Sequence, residues 1–204
     1  MSLSVLFVIG VTIALPDRVH VFPRGLFPVV VLVLLIALIA TDPGAITIRS
    51  RKLRALSITL VLVMVGGSLA YTTVLINDLL NNAPGLQKPG PLLSSGAAVW
   101  LMNIVAFALL YWQFDCGGAA MRAHGMPAHP DIAFPQQLNP ELAPPDWRPE
   151  YVDYLFMSIT TSVAFSPTDA MPLSRWVKIA MAVEALISLA ILGLVIARAV
   201  NAFT

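Results

Sequence analysis

The sequence predicts an all-α membrane protein with about five transmembrane helices and a re-entrant helix before the last of them. Of its 204 residues, 58% are hydrophobic and only 11% are charged, whereas about a quarter of the residues in a soluble domain are charged. Five apolar runs alternate with links that hold most of the charged residues, prolines and glycines. A sixth apolar run, before the last, is too short to cross the roughly 30 Å hydrocarbon core of a bilayer.

Composition also excludes several classes of function. The net charge of +1 argues against nucleic acid as a partner. The single cysteine, Cys116, excludes an internal disulfide. No Ser-His-Asp arrangement, phosphate-binding loop or pair of membrane-facing carboxylates is found, so we expect neither an enzyme nor a cofactor. The first apolar run lacks a preceding basic region, and we therefore expect no cleaved signal peptide.

The length of each apolar run sets the predicted spans. They are Leu3–Leu15, Leu26–Ala40, Leu56–Ile76, Ala97–Phe114 and Val177–Ala202. A span needs about 20 residues, so the first run tilts little, thins the bilayer, does not cross it fully or lacks residues from a misannotated start. Gly66 and Gly67 at the centre of the third span allow a neighbouring helix to approach closely. We expect a polar loop over 77–96 and a longer one over 115–148, and we treat 1–204 as one membrane domain.

The short apolar run from Tyr151 to Thr161 is followed by an irregular polar run from Ser162 to Ser174. At 1.5 Å per residue, an 11-residue helix covers only about half of the hydrocarbon core. Non-helical backbone at membrane depth is tolerated only inside protein or beside a water-filled cavity. The order of short helix, polar turn and long helix therefore predicts a re-entrant pore loop followed by an inner helix.

This stretch resembles the pore module of tetrameric potassium channels. In that module a pore helix ends in Thr-Thr-Val-Gly-Tyr-Gly-Asp, and a link with Pro-Leu-x-Arg leads into the inner helix. The chain keeps Ile159-Thr160-Thr161 and Pro172-Leu173-Ser174-Arg175, but Ser162-Val163-Ala164-Phe165-Ser166 replaces the filter glycines. Those glycines allow the carbonyl groups of a potassium filter to point inward. The resemblance implies a homotetramer with a modified filter, built from 97–204 and preceded by a three-helix part, 1–96.

A second resemblance covers most of the chain. Gly117-Gly118, the run from Asp131 to Pro135 and the run from Tyr151 to Tyr154 are similar to a family of bacterial integral membrane proteins whose function is not established. This likeness supports the architecture and implies a plasma membrane location, the inner membrane in bacteria.

The potassium-channel resemblance assigns filter-like positions to six consecutive residues. They are Thr160, Thr161, Ser162, Val163, Ala164 and Phe165. A hydroxyl group is both a donor and an acceptor, so the first three either line a cation path or cap the helix and pack an irregular turn. Phe165 stands at the position of the filter tyrosine, where it either packs behind the turn or plugs it.

Three further residues are predicted to support the pore. Asp169 either forms a ring of charge at a pore mouth or ends the turn, and the second interpretation is favoured. Glu184 lies about two turns inside the last span, and we expect it to hydrogen-bond Thr160 or Thr161. A proton or ion role and a place at the lipid interface are its alternatives. Ser188, one turn further, would line the axis with Ala182 and Gly193.

Other polar residues have structural interpretations. Asn103, within the fourth span, is expected to bond across to another helix. Glu150 and Asp153 suit the first turn of the re-entrant helix, where negative charge complements the helix dipole. His124 and His129 lie in a proline-broken loop that fixes no common face, so we expect no metal site.

Positive charge predicts the orientation. Eight Lys and Arg residues lie on one side of the five predicted spans, in the 42–55 link and between 115 and 178, and four lie on the other side. The positive-inside rule places the first side in the cytoplasm. The re-entrant loop would then enter from the cytoplasm, opposite to the orientation in a potassium channel.

The expected function is a cation-conducting pore subunit with weak or non-potassium selectivity. Its predicted partners are the lipid bilayer, further copies of the chain and monovalent cations. One alternative is a non-conducting scaffold or assembly partner that has lost the filter. Another is a small transporter subunit that uses Glu184.

Overall fold

The structure is a computed structural model that describes residues 1–16, 21–23, 25–41, 51–81, 83, 86–123, 129–164 and 169–203, without the side chains of 51, 120, 123 and 201–203. The described chain is mostly helical. The helices are α1 (Ser2–Ala14), α2 (Leu26–Thr41), α3 (Arg51–Leu80), α4 (Pro89–Phe114), α5 (Ala119–Ala123), α6 (Pro135–Leu138), α7 (Tyr151–Ala164) and α8 (Arg175–Phe203). Two short strands, β1 (Ile132–Ala133) and β2 (Met171–Pro172), pair antiparallel.

Among the described residues, three helices are long and apolar enough to cross a membrane, at Lys52–Leu80, Pro89–Gly117 and Arg175–Val200. They contain the third, fourth and fifth predicted spans. α1 and α2 match the first two predicted runs but have only 13 and 16 residues. The prediction of a mostly helical chain with helices that could cross a membrane is therefore confirmed.

The predicted loop over 77–96 is wrong at both ends, because α3 continues to Leu80 and α4 already begins at Pro89. A proline is well tolerated in the first turn of a helix, where its missing N–H needs no partner. Leu92 and Ser95 in this part of α4 are fully buried, so packing against neighbouring helices stabilises the added turns.

α4 is the central helix of the fold. It packs against α1, α3, α7 and α8, and 67% of its apolar stretch is buried, compared with 28% for α8. α8 runs antiparallel to α4, because Glu184 contacts Tyr111 while Val195, further along α8, lies against Gly96. At the far end of α8, Arg198 donates two hydrogen bonds, of 2.9 and 2.6 Å, to the carbonyl oxygen of Leu79 at the end of α3.

The segment that holds α7 leaves and returns at the same end of α4. The ring of Tyr151 lies 6.2 Å from that of Trp112, near the end of α4. Further along α7, Ser158 bonds the carbonyl oxygen of Ile104, eight residues deeper in α4. The chain then returns, because the ring of Trp176 lies 6.2 Å from that of Phe114.

α1 ends beside the middle of α4, and α2 begins beside the middle of α3. Thr12, close to the end of α1, lies 3.8 Å from the sulfur of Met102. Phe27, at the start of α2, packs against Gly67 and places its ring 5.6 Å from that of Tyr71. The predicted close approach of a helix at Gly67 is therefore confirmed.

We predict that Gly67→Ala destabilises the protein by about 1–2 kcal/mol, because the added methyl group would overlap the Phe27 ring and overpacking costs roughly 1–3 kcal/mol. Gly66→Ala is the matched control. Its added methyl group meets open space, so this substitution should gain up to about 1 kcal/mol from helix propensity. Thermal unfolding in detergent measures both. Equal effects would contradict the contact of α2 with α3 at Gly67.

Candidate functional site

One face of α7 is buried and mostly polar, and the opposite face is exposed and apolar. Its buried residues are Tyr154, Met157, Ser158, Thr161 and Ser162. They recur at intervals of three and four, so they form one stripe. The other face exposes Val152, Phe156, Ile159 and Val163. A helix on a water-soluble protein has the opposite arrangement, and this pattern suits a membrane protein.

The polar stripe of α7 meets Glu184, which is fully buried in the otherwise apolar α8. Tyr111 of α4 donates a 2.6 Å hydrogen bond to Oε2 of Glu184, and Ser162 donates a 3.1 Å bond to Oε1. Ser158 contacts the same Oε1. One carboxyl group therefore joins α4, α7 and α8.

Ser158 has two partners for one hydroxyl hydrogen. Its Oγ contacts Glu184 and also lies 2.8 Å from the carbonyl oxygen of Ile104. A hydroxyl group donates only one hydrogen but also accepts. Both contacts are satisfied together when Glu184 carries a proton, because the carboxyl group then donates to Ser158 and Ser158 donates to Ile104.

A second cross-helix bond lies one turn along α8 from Glu184. Asn103 of α4 donates to Ser188, at 3.3 Å, and both side chains are fully buried. The predicted bond between Asn103 and another helix is therefore confirmed. Ser188 faces α4 inside the subunit, whereas Ala182 and Gly193 are exposed.

A third group of polar contacts lies at the C-terminal end of α4, next to the start of α7. Asp115 is fully buried, accepts a hydrogen bond from Tyr154 of α7 and accepts another, of 3.2 Å, from the backbone N–H of Ile132. Arg122 donates to the carbonyl oxygens of Trp112 (2.9 Å) and Asp115 (2.7 Å). These bonds satisfy carbonyl groups that the end of α4 leaves without helical partners.

Asp131 fixes the rest of the long loop over this end. Its carboxylate accepts the backbone N–H of Cys116 at 3.1 Å and the indole N–H of Trp176 at 3.0 Å. Its backbone carbonyl accepts the N–H of Leu173 at 2.9 Å. The loop therefore forms a cap over α4, α7 and α8, which we define as 115–123, 129–150 and 169–174.

The structure places the filter-like residues on α7. Thr160 and Thr161 donate to the carbonyl oxygen of Met157, at 2.9 and 2.8 Å, and Ser162 donates to Glu184. Val163 and Ala164 are exposed. Phe165 lies outside the described residues.

Two predictions about this segment are wrong. The irregular run was expected from Ser162, but α7 remains helical to Ala164, because no proline or glycine occurs there and Ser162 gains a bond to Glu184. The partners predicted for Glu184 were Thr160 and Thr161. Ser158 and Ser162 contact Glu184 instead, because they lie on the stripe of α7 that faces α8.

Asp169 is exposed and lines a surface pocket of about 100 Å³ with Asp153 and Thr160. Asp153 lies in the first turn of α7, as predicted, and caps the start of this helix by accepting the backbone N–H of Glu150 at 2.7 Å. Across the described part of the chain, which includes His129 but not His124, no group of three or more His, Cys, Asp or Glu residues could hold a metal ion.

Sequence reasoning missed four residues of this site: Tyr111, Asp115, Arg122 and Ser158. A signal existed for most of them. Tyr111 and Asp115 are four residues apart, as are Tyr154, Ser158 and Ser162, and residues four apart share one face of a helix. Arg122 follows Gly117 and Gly118, whose positive φ angles of 76° and 97° turn the chain back on α4.

None of the protein families, curated proteins or solved structures compared with the chain matches it.

We predict that Glu184→Gln changes the unfolding free energy by less than about 1 kcal/mol, because the amide still accepts from Tyr111 and donates to Ser158. Glu184→Leu should cost roughly 2–4 kcal/mol, since it leaves three buried hydroxyl groups without this partner. Leu186→Ala, at an exposed position of α8, is the control and should change little. Unfolding in detergent measures all three. If glutamine is as costly as leucine, the negative charge of Glu184 is essential and the hydrogen-bond account fails.

Proposed function

We propose that the protein is a polytopic plasma membrane protein, located in the inner membrane in bacteria, with five inserted helices, α1–α4 and α8. In this arrangement α7 is re-entrant, entering and leaving the bilayer on the side of the cap. The ends of this segment support the placement, because Tyr151 and Trp176 both lie near the same end of α4. The positive-inside rule supports a cytoplasmic position for the cap.

For its function, we propose a non-conducting scaffold or assembly partner with the frame of a pore module. The observation that carries this proposal is the hydrogen bonding of α7 to Glu184. Ser158 and Ser162 are turned into the subunit and bonded there, so these hydroxyl groups are not available to line an axis between subunits.

The backbone of α7 supports the same proposal. In a potassium filter, extended backbone after the pore helix presents rings of carbonyl groups to the ion. Here the positions from Ser162 to Ala164 are helical, and helical carbonyl groups point along the helix axis. Of these three residues, the two exposed ones, Val163 and Ala164, offer apolar side chains.

A homo-oligomer is the assembly that we propose, with a tetramer favoured by the resemblance to potassium channels. α8 exposes a long apolar face, and the exposed fractions of Ile179, Leu186 and Ile196 are 66%, 66% and 60%. Copies of the chain that pack through this face would bury these apolar side chains. The exposed small residues Ala182 and Gly193 would allow the neighbouring helix to approach closely.

A cation pore is the second candidate function. The position of α7 favours it, because a short helix that enters the bilayer beside a long inner helix is the arrangement of a pore loop. In this case ions would pass beside the C-terminal end of α7, with exposed Asp169 near the mouth of the pore.

We predict no flux of potassium, sodium or chloride through the purified protein in liposomes, because Ser162 to Ala164 are helical and the hydroxyl group of Ser162 is bonded to Glu184 inside the subunit. A pore-forming peptide added at the end of each trace demonstrates that the vesicles hold the gradient. Ala164→Trp, at an exposed position at the end of α7, is the matched variant. Flux that this variant abolishes would overturn the non-conducting proposal and establish the cation pore.

We predict that Leu186→Cys, in a Cys116→Ser background, forms disulfide-linked dimers when native membranes are oxidised. Leu186 is exposed on α8, whereas Ile191 on the same helix is fully buried, so Ile191→Cys is the matched control and should remain monomeric. Gel electrophoresis without reductant measures the product. The absence of dimers from Leu186→Cys and from Leu189→Cys, at a second exposed position, would argue against self-assembly through α8.

A further inference from the structure

An open groove runs over α4 between α1 and α7. Leu101 and Val105 of α4 form part of its floor, and Phe7 of α1 and Ile159 of α7 form part of its walls. Its volume is about 310 Å³, at the lower end of the roughly 300–1,000 Å³ that ligand pockets have. The groove is therefore large enough to hold a ligand, which would contact all three helices.

One end of the groove is polar and lies near the cap. Ser4 of α1 lines the groove, and its hydroxyl group lies close to that of Tyr151. The ring of Tyr151 packs against that of Trp112, near the C-terminal end of α4. Tyr and Trp side chains are typical of the level where lipid headgroups meet the hydrocarbon core. In the membrane placement proposed above, Ser4 therefore lies at headgroup level on the side of the cap.

The other end of the groove lies at the middle of α4. Leu101 is the lining residue of α4 that is furthest from the cap, and it precedes Met102, which contacts Thr12 of α1. Trp112 and Leu101 are eleven residues apart, which is about 16 Å along a helix. The hydrocarbon core is roughly 30 Å thick, so the groove extends through about one leaflet.

These dimensions identify the class of ligand. A helix of a second copy that crosses the bilayer would be roughly 30 Å long, about twice the length of the groove. An acyl chain of one leaflet extends from the headgroups to the middle of the bilayer, as the groove does. The lining has the same order of polarity, because Ser4 lies at the headgroup end and the residues beyond it, such as Phe7 and Leu101, are apolar.

We propose that the groove binds one acyl chain of a phospholipid from the leaflet on the side of the cap. The chain lies on Leu101 and Val105, and the hydroxyl group of Ser4 donates a hydrogen bond to an ester oxygen of the lipid. A chain in the groove contacts three helices and a chain on the outer face of α8 contacts one, so the chain in the groove gains more van der Waals contacts.

This inference rests on the proposed membrane placement of α1, α4 and α7. It does not depend on whether the protein conducts ions, because the lining of the groove, within the described part of the chain, does not include Glu184 or its two serine partners.

Native mass spectrometry of the full-length protein tests the inference, after purification in a mild detergent and titration with dioleoyl phosphatidylcholine. Phe7→Ala removes part of a wall of the groove. Leu6→Ala is its matched control, because the exposed fractions of Phe7 and Leu6 are 47% and 46% and only Phe7 lines the groove. Leu101→Trp fills the floor. Thermal unfolding of each variant checks that it is folded.

The expected result is one tightly bound phospholipid per subunit in the wild-type protein and in Leu6→Ala, and binding at least about tenfold weaker in Phe7→Ala and Leu101→Trp. A tenfold change corresponds to about 1.4 kcal/mol, or the burial of about two methylene groups. Equal loss in Leu6→Ala and Phe7→Ala would overturn the proposal, because the lipid would then lie elsewhere on α1. A wild-type protein without bound phospholipid would also overturn it.

A dimer without bound lipid that Leu101→Trp dissociates would assign the groove to a second copy of the chain and overturn the proposal as well. If Leu101→Trp does not fold, the comparison of Phe7→Ala with Leu6→Ala decides, because both residues are half-exposed. The same spectra count the subunits, so a monomer with one bound phospholipid would contradict the proposed homo-oligomer and support the lipid site. Recovery of the protein from the membrane fraction tests the membrane placement separately.

Discussion

The packing of the second half of the chain depends on partners for one carboxyl group, that of Glu184. α8 is apolar around it, and a polar group buried without hydrogen bonds costs several kcal/mol. Tyr111 supplies one bond from α4, and Ser158 and Ser162 supply two contacts from α7. The two serines are one turn apart and meet the same oxygen, so sliding α7 by a turn would break this arrangement. Glu184 therefore sets how far α7 extends along α4.

The cap provides a second attachment for α7, one turn from the first. Tyr154 bonds Asp115 at the end of α4, and Asp131 ties the start of α8 to the same loop through Trp176. A loop rich in proline has few regular backbone bonds of its own, and in the cap these buried and half-buried carboxylates take over part of that role. The polar stripe of α7 is thus attached at two places, to Asp115 through Tyr154 and to Glu184 through Ser158 and Ser162. The opposite face is apolar, and in a bilayer it needs no protein partner because lipid acyl chains can contact it.

The sequence allowed the membrane class and most of the helices to be predicted, because length and apolar composition decide both. The start of α4 was missed since Pro89 and Pro91 look like loop residues, and only the burial of Leu92 and Ser95 explains why that part is helical. Glu184 was recognised as unusual by its depth, but its partners were not, because the choice between the threonines and the serines depends on which face of α7 meets α8. The cap could not be predicted from hydrophobic periodicity, because Asp115 and Asp131 hold it together by accepting hydrogen bonds from backbone N–H groups of the loop.

α7 and the α1–α2 pair approach the same level of α4. Ser158 of α7 bonds Ile104, and Thr12 of α1 contacts Met102, two residues away along the same helix. Between α1 and α7, the apolar side chains of Phe7, Leu101 and Ile159 line an open groove over α4. These elements therefore meet at the middle of α4, and the apolar lining of the groove between them suits contact with lipid acyl chains and offers no polar path for an ion.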